Sequence, residues 1–192
     1  MKTVWIATSN KHKVEEFQKM LKNVDVKCLS DLNQDVEIVE TGTTFEENAI
    51  IKAMSLYNVI HQPVLSDDSG IEVVAMDKMP GVYSARWMGE DTSYDIKNQA
   101  IIDAVKDKEK TARYVCVIAF VDEKGNPHTY RGTVEGEIND IPLGSNGFGY
   151  DPIFYYPPYK TTLANVSDDM KNAISHRGKA LELFLKDWRD KL

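Results

Sequence analysis

Two adjacent carboxylates, Asp67 and Asp68, stand between the apolar runs Val64-Leu65 and Ile71-Glu72-Val73, with Ser69-Gly70 directly after them. The flanks look like strand ends, so the acids are expected on a tight loop or a bent strand. Neighbouring carboxylates repel, and their charge is most stable beside a cation or water. Asp-Asp-Ser-Gly is equally ordinary turn chemistry, so the stretch alone leaves both a turn and a metal site open.

Three further segments carry residues of chemical interest. Thr8-Ser9-Asn10-Lys11-His12-Lys13 reads as a polar loop running into a helix start, which aims backbone N–H groups at an anion. Taken alone, it is more simply a βα turn with a surface lysine, and it lacks the Gly-x-x-x-x-Gly-Lys pattern of a Walker A loop. Gly147-Phe148-Gly149-Tyr150-Asp151 places glycines around aromatic residues and an acid. Glycines let a backbone approach a ligand or turn sharply, and Phe148 could stack on a planar ring. A tight turn with core aromatics explains the segment equally well, and its glycine order is not that of a dinucleotide fold. Ser175-His176-Arg177-Gly178-Lys179, with Lys171 upstream, is dense in hydrogen-bond donors, although a His–Arg pair is more often a surface feature.

His12, His61, His128 and His176 form no zinc pattern, and neither Gly-x-Ser-x-Gly nor a Cys–His nucleophile arrangement is present. Acids for a hard cation, loop cations and an aromatic loop suit Mg²⁺-assisted attack on a phosphate ester or anhydride better than acyl transfer.

These residues must be positioned by a chain of 192 residues, most simply one domain spanning 1–192. Its 23 basic and 30 acidic side chains give a net charge of −7, which argues against a stable nucleic-acid partner. A small polyanion can still bind if cations gather locally. Cys28 and Cys116 lie far apart in apolar runs and read as buried free thiols in a reducing compartment. The stretch from Met1 to Ala7 is apolar for too few residues to be a signal peptide, and no run approaches the roughly 20 apolar residues of a membrane span. The expectation is a cytoplasmic protein without a membrane partner.

Thr3 to Ala7 reads as a buried strand, followed by a helix from Lys11 to Lys22 with Val14, Phe17, Gln18 and Leu21 on one face. Asp25 to Leu29 reads as a second strand. Thr44 and Glu47 fit a capping box opening a helix with the stripe Phe45, Ala49, Ala53, Leu56 and Ile60, and Lys52 falls off that stripe as a solvated lysine. Ile71 to Ala75 looks like a separate strand. Thr92 or Ser93 caps a helix through about Val105 carrying Ile96, Ala100, Ile101 and Ala104. Thr111 to Val121 and His128 to Ile138 form a hairpin, which makes the sheet mixed. A final helix carries Leu181, Phe184, Leu185 and Trp188.

The order of these motifs resembles the ITPase family, the dITP/XTP pyrophosphatases that remove non-standard purine nucleoside triphosphates. The matching blocks are Thr8-Ser9-Asn10 with Lys13, Phe45-Glu46-Glu47-Asn48-Ala49 with Lys52, Asp67-Asp68-Ser69-Gly70, Pro80-Gly81-Val82-Tyr83-Ser84-Ala85-Arg86, Gly147 to Phe154, and Lys171 with Ser175-His176-Arg177-Gly178. The resemblance implies hydrolysis of ITP, dITP and XTP to monophosphate and pyrophosphate. It implies an α/β fold with a long mixed central sheet flanked by helices, two lobes with the nucleotide cleft between them, a homodimer, and Mg²⁺. By the same likeness Asp68 activates water or holds the metal. Glu40 is the second metal ligand, with Glu47 as the alternative. Thr8, Ser9, Asn10, Lys11, His12, Lys13, Lys52, Ser69 and Lys171 hold the phosphates. Phe148 stacks on the purine, while Gly149, Tyr150, Asp151, His176 and Arg177 read its edge. Asp67 shapes the loop or tunes its neighbour's charge.

Overall fold

A computed structural model describes residues 3–22 and 24–188, so the reading of Met1 and Lys2 lies outside the described residues. In chain order the elements are β1 (Thr3–Ile6), α1 (Lys11–Met20), β2 (Asp25–Cys28), α2 (Phe45–Ile60), β3 (Val64–Val73), α3 (Tyr94–Ala104), β4 (Thr111–Val121), β5 (Pro127–Ile138), β6 (Phe154–Tyr156), β7 (Thr161–Thr162), α4 (Asp168–Ile174) and α5 (His176–Trp188). The strands form one sheet in the order β2-β1-β3-β4-β5-β6-β7. β1 pairs in parallel with both β2 and β3, whereas β6 pairs antiparallel with β5 and β7. The fold is therefore α/β with a mixed central sheet. Parallel neighbours need crossover connections, and α1 and α2 supply them.

Local signals explain where the helices begin. The Asn10 side chain accepts from the backbone N–H groups of His12 and Lys13 and caps α1. Thr44 and Glu47 close the capping box of α2: Thr44 Oγ1 accepts from Glu47 N, and Glu47 Oε2 accepts from the N–H groups of Thr43 and Thr44. Ser93 and Ser167 cap α3 and α4. No helix among the described residues is long and apolar enough to cross a membrane.

The chain divides into two compact units. The first comprises 1–68, 116–132 and 178–192; the second comprises 69–115 and 133–177. Each has its own apolar core. In the first, Ile6, Phe17, Leu65, Ile118, Phe120 and Phe184 pack together. In the second, Ile71, Ile101, Tyr114, Ile138, Ile153 and Phe154 do so.

Several boundaries differ from the sequence expectation. The Asp67-Asp68 pair does not sit on a loop: β3 runs unbroken from Val64 to Val73, and both acids are buried within it. The separate strand expected over 71–75 is the end of that same strand, followed by a 3-10 turn over Val74–Met76. Gly70 allows the continuity, because a Cβ there would collide with the Gly81 carbonyl and the Ser84 side chain packed against the strand. Gln18, expected on the inner face of α1, is exposed, as is Ile96 on α3, where Lys97 and Asn98 face inward instead. Cys116 is buried as expected, but Cys28 is only partly so, and neither forms a disulfide among the described residues.

Candidate active site

Charged groups in a strand interior are costly unless paired. In the first unit the pairing is close. Lys13 Nζ, from the first turn of α1, lies 2.9 Å from Asp67 Oδ2. Lys52 Nζ, from the middle of α2, lies 2.7 Å from Asp68 Oδ1 and 3.1 Å from Glu40 Oε1. The Cys116 thiol on β4 is 4.0 Å from Asp67 Oδ2. Lys52 is only 9% exposed, so the solvated lysine suggested by its place off the apolar stripe is overturned. The stripe is wider than the aliphatic residues mark, and Lys52 fills the part that faces Asp68.

The cluster holds three carboxylates and two ammonium groups. Burial pushes the Asp68 carboxyl above the usual carboxylate range, and Lys52 opposes that rise without cancelling it. Burial works against the Lys52 ammonium, but Asp68, Asp67 and Glu40 outweigh it and raise its pKa, so Lys52 is a cation at neutral pH. The excess negative charge favours protons on both partners.

The Thr8–Lys13 segment is a capped turn. Asn10 N donates to Thr8 Oγ1, and the Asn10 side chain takes the N–H groups of His12 and Lys13. Ser9, Lys11 and His12 are exposed. Glu47 is exposed and engaged as a cap, its carboxyl held below the usual range by the Thr43 and Thr44 groups that donate to it. Its geometry thus favours Glu40 over Glu47 as the acid beside Asp68.

The second unit gathers the aromatic and donor residues. Asp151 is its hub: Oδ1 accepts from Tyr114 Oη at 3.2 Å, while Oδ2 accepts from Lys171 Nζ at 2.7 Å and from Phe148 N at 2.9 Å. Lys171 Nζ also lies 4.7 Å from the centre of the Phe148 ring. Gly147 has φ +69°, and a Cβ there would strike the Asp151 carboxylate. His176 stacks on Tyr114 at 4.7 Å and 12°, and Tyr114 stacks on Phe154 at 4.4 Å. Arg177 Nη2 donates to Ser69 Oγ at 3.3 Å.

His176 and Arg177 are 7% and 2% exposed, which overturns the surface reading of that pair: they open α5 and turn inward. Tyr150 and Asp151 spend their side chains within the protein, Tyr150 Oη donating to the Ser84 carbonyl at 2.6 Å. Burial pushes the Tyr150 phenol well up, so it remains a donor. Sequence reasoning missed Tyr114, and it named Lys13 for the phosphates without its pairing with Asp67. An aromatic residue in a β-rich run carries no mark of its hydrogen bond, and the Lys13–Asp67 contact joins residues far apart in sequence.

Among the described residues no group of three or more His, Cys, Asp or Glu is arranged to hold a metal ion. The donor chemistry nevertheless fits Mg²⁺, which is commonly held by one or two carboxylates with water and substrate phosphates completing its shell. Asp68 Oδ2 is buried and has no hydrogen-bond partner among the described residues, so it is the oxygen with capacity left for a cation. A cavity of about 740 Å³ elsewhere in the first unit is lined by Val4, Gln62, Phe120, Asp122 and Trp188 among others, and by none of the acid–ammonium cluster.

The model of the Ham1 family matches residues 4–187. The chain is 42% identical to a dITP/XTP pyrophosphatase of Listeria monocytogenes, covering 97% of this chain and 95% of that one. It is 40% identical to a dITP/XTP pyrophosphatase of Staphylococcus epidermidis, covering 98% and 96%. The structure of the Staphylococcus aureus Ham1 protein matches with a TM-score of 0.91 at 38% identity over the whole of both chains. A HAM1 protein from Coxiella burnetii matches with a TM-score of 0.91 at 37% identity, covering 99% and 100%. A match over nearly every described residue, in sequence and in fold, means that this chain belongs to the Ham1 family.

Proposed function

We propose that this protein hydrolyses the non-standard purine nucleoside triphosphates ITP, dITP and XTP to the monophosphate and pyrophosphate. The observation that carries the reading is the buried Asp68, paired through Oδ1 with Lys52 and keeping Oδ2 without a hydrogen-bond partner among the described residues. Relatives covering nearly the whole chain bear the name dITP/XTP pyrophosphatase.

Glu40 and Asp68 are the residues to hold Mg²⁺, which when bound neutralises phosphate charge and acidifies the attacking water. Asp68 orients that water toward the α-phosphate and takes up its proton. Lys52 balances the acids, and Lys13, fixed by Asp67, presents its remaining N–H groups to the phosphates. Thr8, Ser9, Asn10, Lys11, His12, Ser69 and Lys171 add donors for the triphosphate and the leaving pyrophosphate.

Phe148 stacks on the purine, and the segment from Gly149 to Asp151, with His176 and Arg177, reads its edge. Hypoxanthine and xanthine carry an acceptor carbonyl at C6, whereas adenine carries an amino donor there. Donors aimed at C6 are left unpaired by adenine, which makes the rejection large. The assembly is a homodimer, consistent with exposed Met79, Tyr83, Met88 and Ile96 in one stretch of the second unit. The compartment is the cytoplasm, where Cys28 and Cys116 stay reduced.

The test is a product assay with ITP, XTP, GTP, ATP and dTTP in Mg²⁺, scoring pyrophosphate against phosphate. Pyrophosphate release fastest with ITP or XTP is expected. Faster cleavage of dTTP, or binding of ITP without turnover, would refute the reading.

A further inference from the structure

Helix α3 turns two polar residues inward where its sequence offers an isoleucine. Lys97 and Asn98 are 1% and 2% exposed beside Ile101, Ile102 and Val105, whereas Ile96 is 55% exposed. Asn98 Nδ2 donates to the Gly149 carbonyl at 3.2 Å, and Asn98 Oδ1 is buried with no hydrogen-bond partner among the described residues. The carbonyl partner fixes the orientation of the amide, since a flipped amide would set oxygen against oxygen. A buried amide that satisfies one of its two ends costs more than an apolar side chain of similar volume. Core packing therefore does not account for an asparagine here, and the bond to Gly149 does.

That bond acts on the loop that carries Phe148. Gly147 and Gly149 both have φ +69°, so Phe148 is placed by two left-handed glycines. The loop is anchored on one side by Asp151, which accepts from Phe148 N, and on the other by α3. Tyr94, one turn before Asn98, meets Tyr150 edge to face at 5.1 Å. Lys97 Nζ donates to the Ala85 carbonyl at 2.8 Å, next to Ser84, whose carbonyl accepts from Tyr150 Oη. Without Asn98 the Gly149 peptide loses this tie to the helix, and glycine offers no side chain to replace it.

We propose that Asn98 is a positioning residue for base recognition: it holds the Gly149 carbonyl and so sets the plane of the Phe148 ring. The inference rests on Phe148 stacking on the purine, as proposed above. It is tested with the full-length variants Asn98→Leu and Asn98→Ala. Asn98→Leu is expected to stay folded with a melting temperature near the parent's, because removing the unpartnered Oδ1 offsets the loss of the bond to Gly149. Misplacing a stacking ring should nonetheless raise KM for ITP about tenfold in both variants, more than it lowers kcat, and reduce the ITP-over-ATP ratio of kcat/KM. The inference is overturned if KM and that ratio stay within about twofold of the parent. It is also overturned if melting temperature and kcat fall together and equally for ITP and ATP, which is the mark of a merely structural residue. Phe148→Ala separates the two levels. If it leaves KM for ITP unchanged, base stacking itself fails and takes the inference with it; if it raises KM while the Asn98 variants do not, only the role of Asn98 fails.

Discussion

The ammonium of Lys52 stands 2.7 Å from Asp68 Oδ1, with both side chains about nine-tenths buried. Glu40 Oε1 approaches the same ammonium at 3.1 Å. Removing one partner of such a pair strands the other charge in a poorly solvated place, at a cost of about 3–5 kcal/mol. Lys52→Met is therefore expected to lower stability at pH 7 by about that amount and to push the Asp68 carboxyl further up. The double variant Lys52→Met/Asp68→Asn removes both charges and should regain a large part of the loss. Urea unfolding of the four proteins of this cycle measures the coupling; additive losses would mean that the two groups do not stabilise one another.

Asp68→Asn alone separates fold from chemistry. The amide oxygen can still accept from Lys52, and the residue keeps its volume inside β3, so the fold should persist with a loss of about 1–3 kcal/mol. Pyrophosphate release from ITP should fall by several orders of magnitude, because an amide neither takes up a proton nor holds a hard cation well. Circular dichroism establishes the fold and the product assay the loss. A folded variant that retains turnover would remove Asp68 from the reaction.

Phe148 is half-buried, with the Lys171 ammonium against its ring. Base–aromatic stacking is worth about 1–3 kcal/mol, so Phe148→Ala should raise KM for ITP roughly 5- to 150-fold. Inorganic tripolyphosphate, which has no base, should inhibit the variant and the parent alike. An equal loss for both ligands would assign the ring to phosphate binding or to loop stability instead.

Much of the fold was legible because its signals are local. Asn10, the Thr44–Glu47 box and Ser93 mark helix starts that need no tertiary information. The turn of Asp122 to Asn126 marks the hairpin in the same way. The site was legible in residue types and order, through likeness to a family, far more than in geometry. Asp67 and Asp68 look like turn residues because charged side chains are rare in strands. Lys13 and Lys52, from two different helices, are what make a buried strand position tolerable, and no local pattern announces that meeting. The same holds for Arg177, buried against Ser69, and for α3, whose inward face carries the hydrogen-bonded Lys97 and Asn98 along with Ile101 and Ile102 while Ile96 is exposed.

The hairpin turn gives a pH dependence apart from catalysis. Asp122 Oδ1 accepts from the N–H groups of Lys124 and Asn126, both at 2.9 Å, and Oδ2 lies 3.2 Å from His128 Nε2. Partial burial alone would raise this carboxyl, but the bonds from Asn126, His128 and Lys124 outweigh it and bring its pKa from the usual 3.8 down to about 2. A pKa lower in the folded than in the unfolded state means that folding favours the charged form. The contribution is full above the unfolded value and is lost as pH falls through the folded one, a window from roughly pH 4 to pH 2. Asp122→Asn should therefore be less stable than the parent at pH 7, and the gap should close across that window as the parent's own carboxylate is protonated. Thermal unfolding of both proteins at pH 7, 4, 3 and 2 checks it. A gap of the same size at pH 7 and pH 2 would mean that the charge of Asp122 adds nothing to the turn beyond the hydrogen bonds an amide can make.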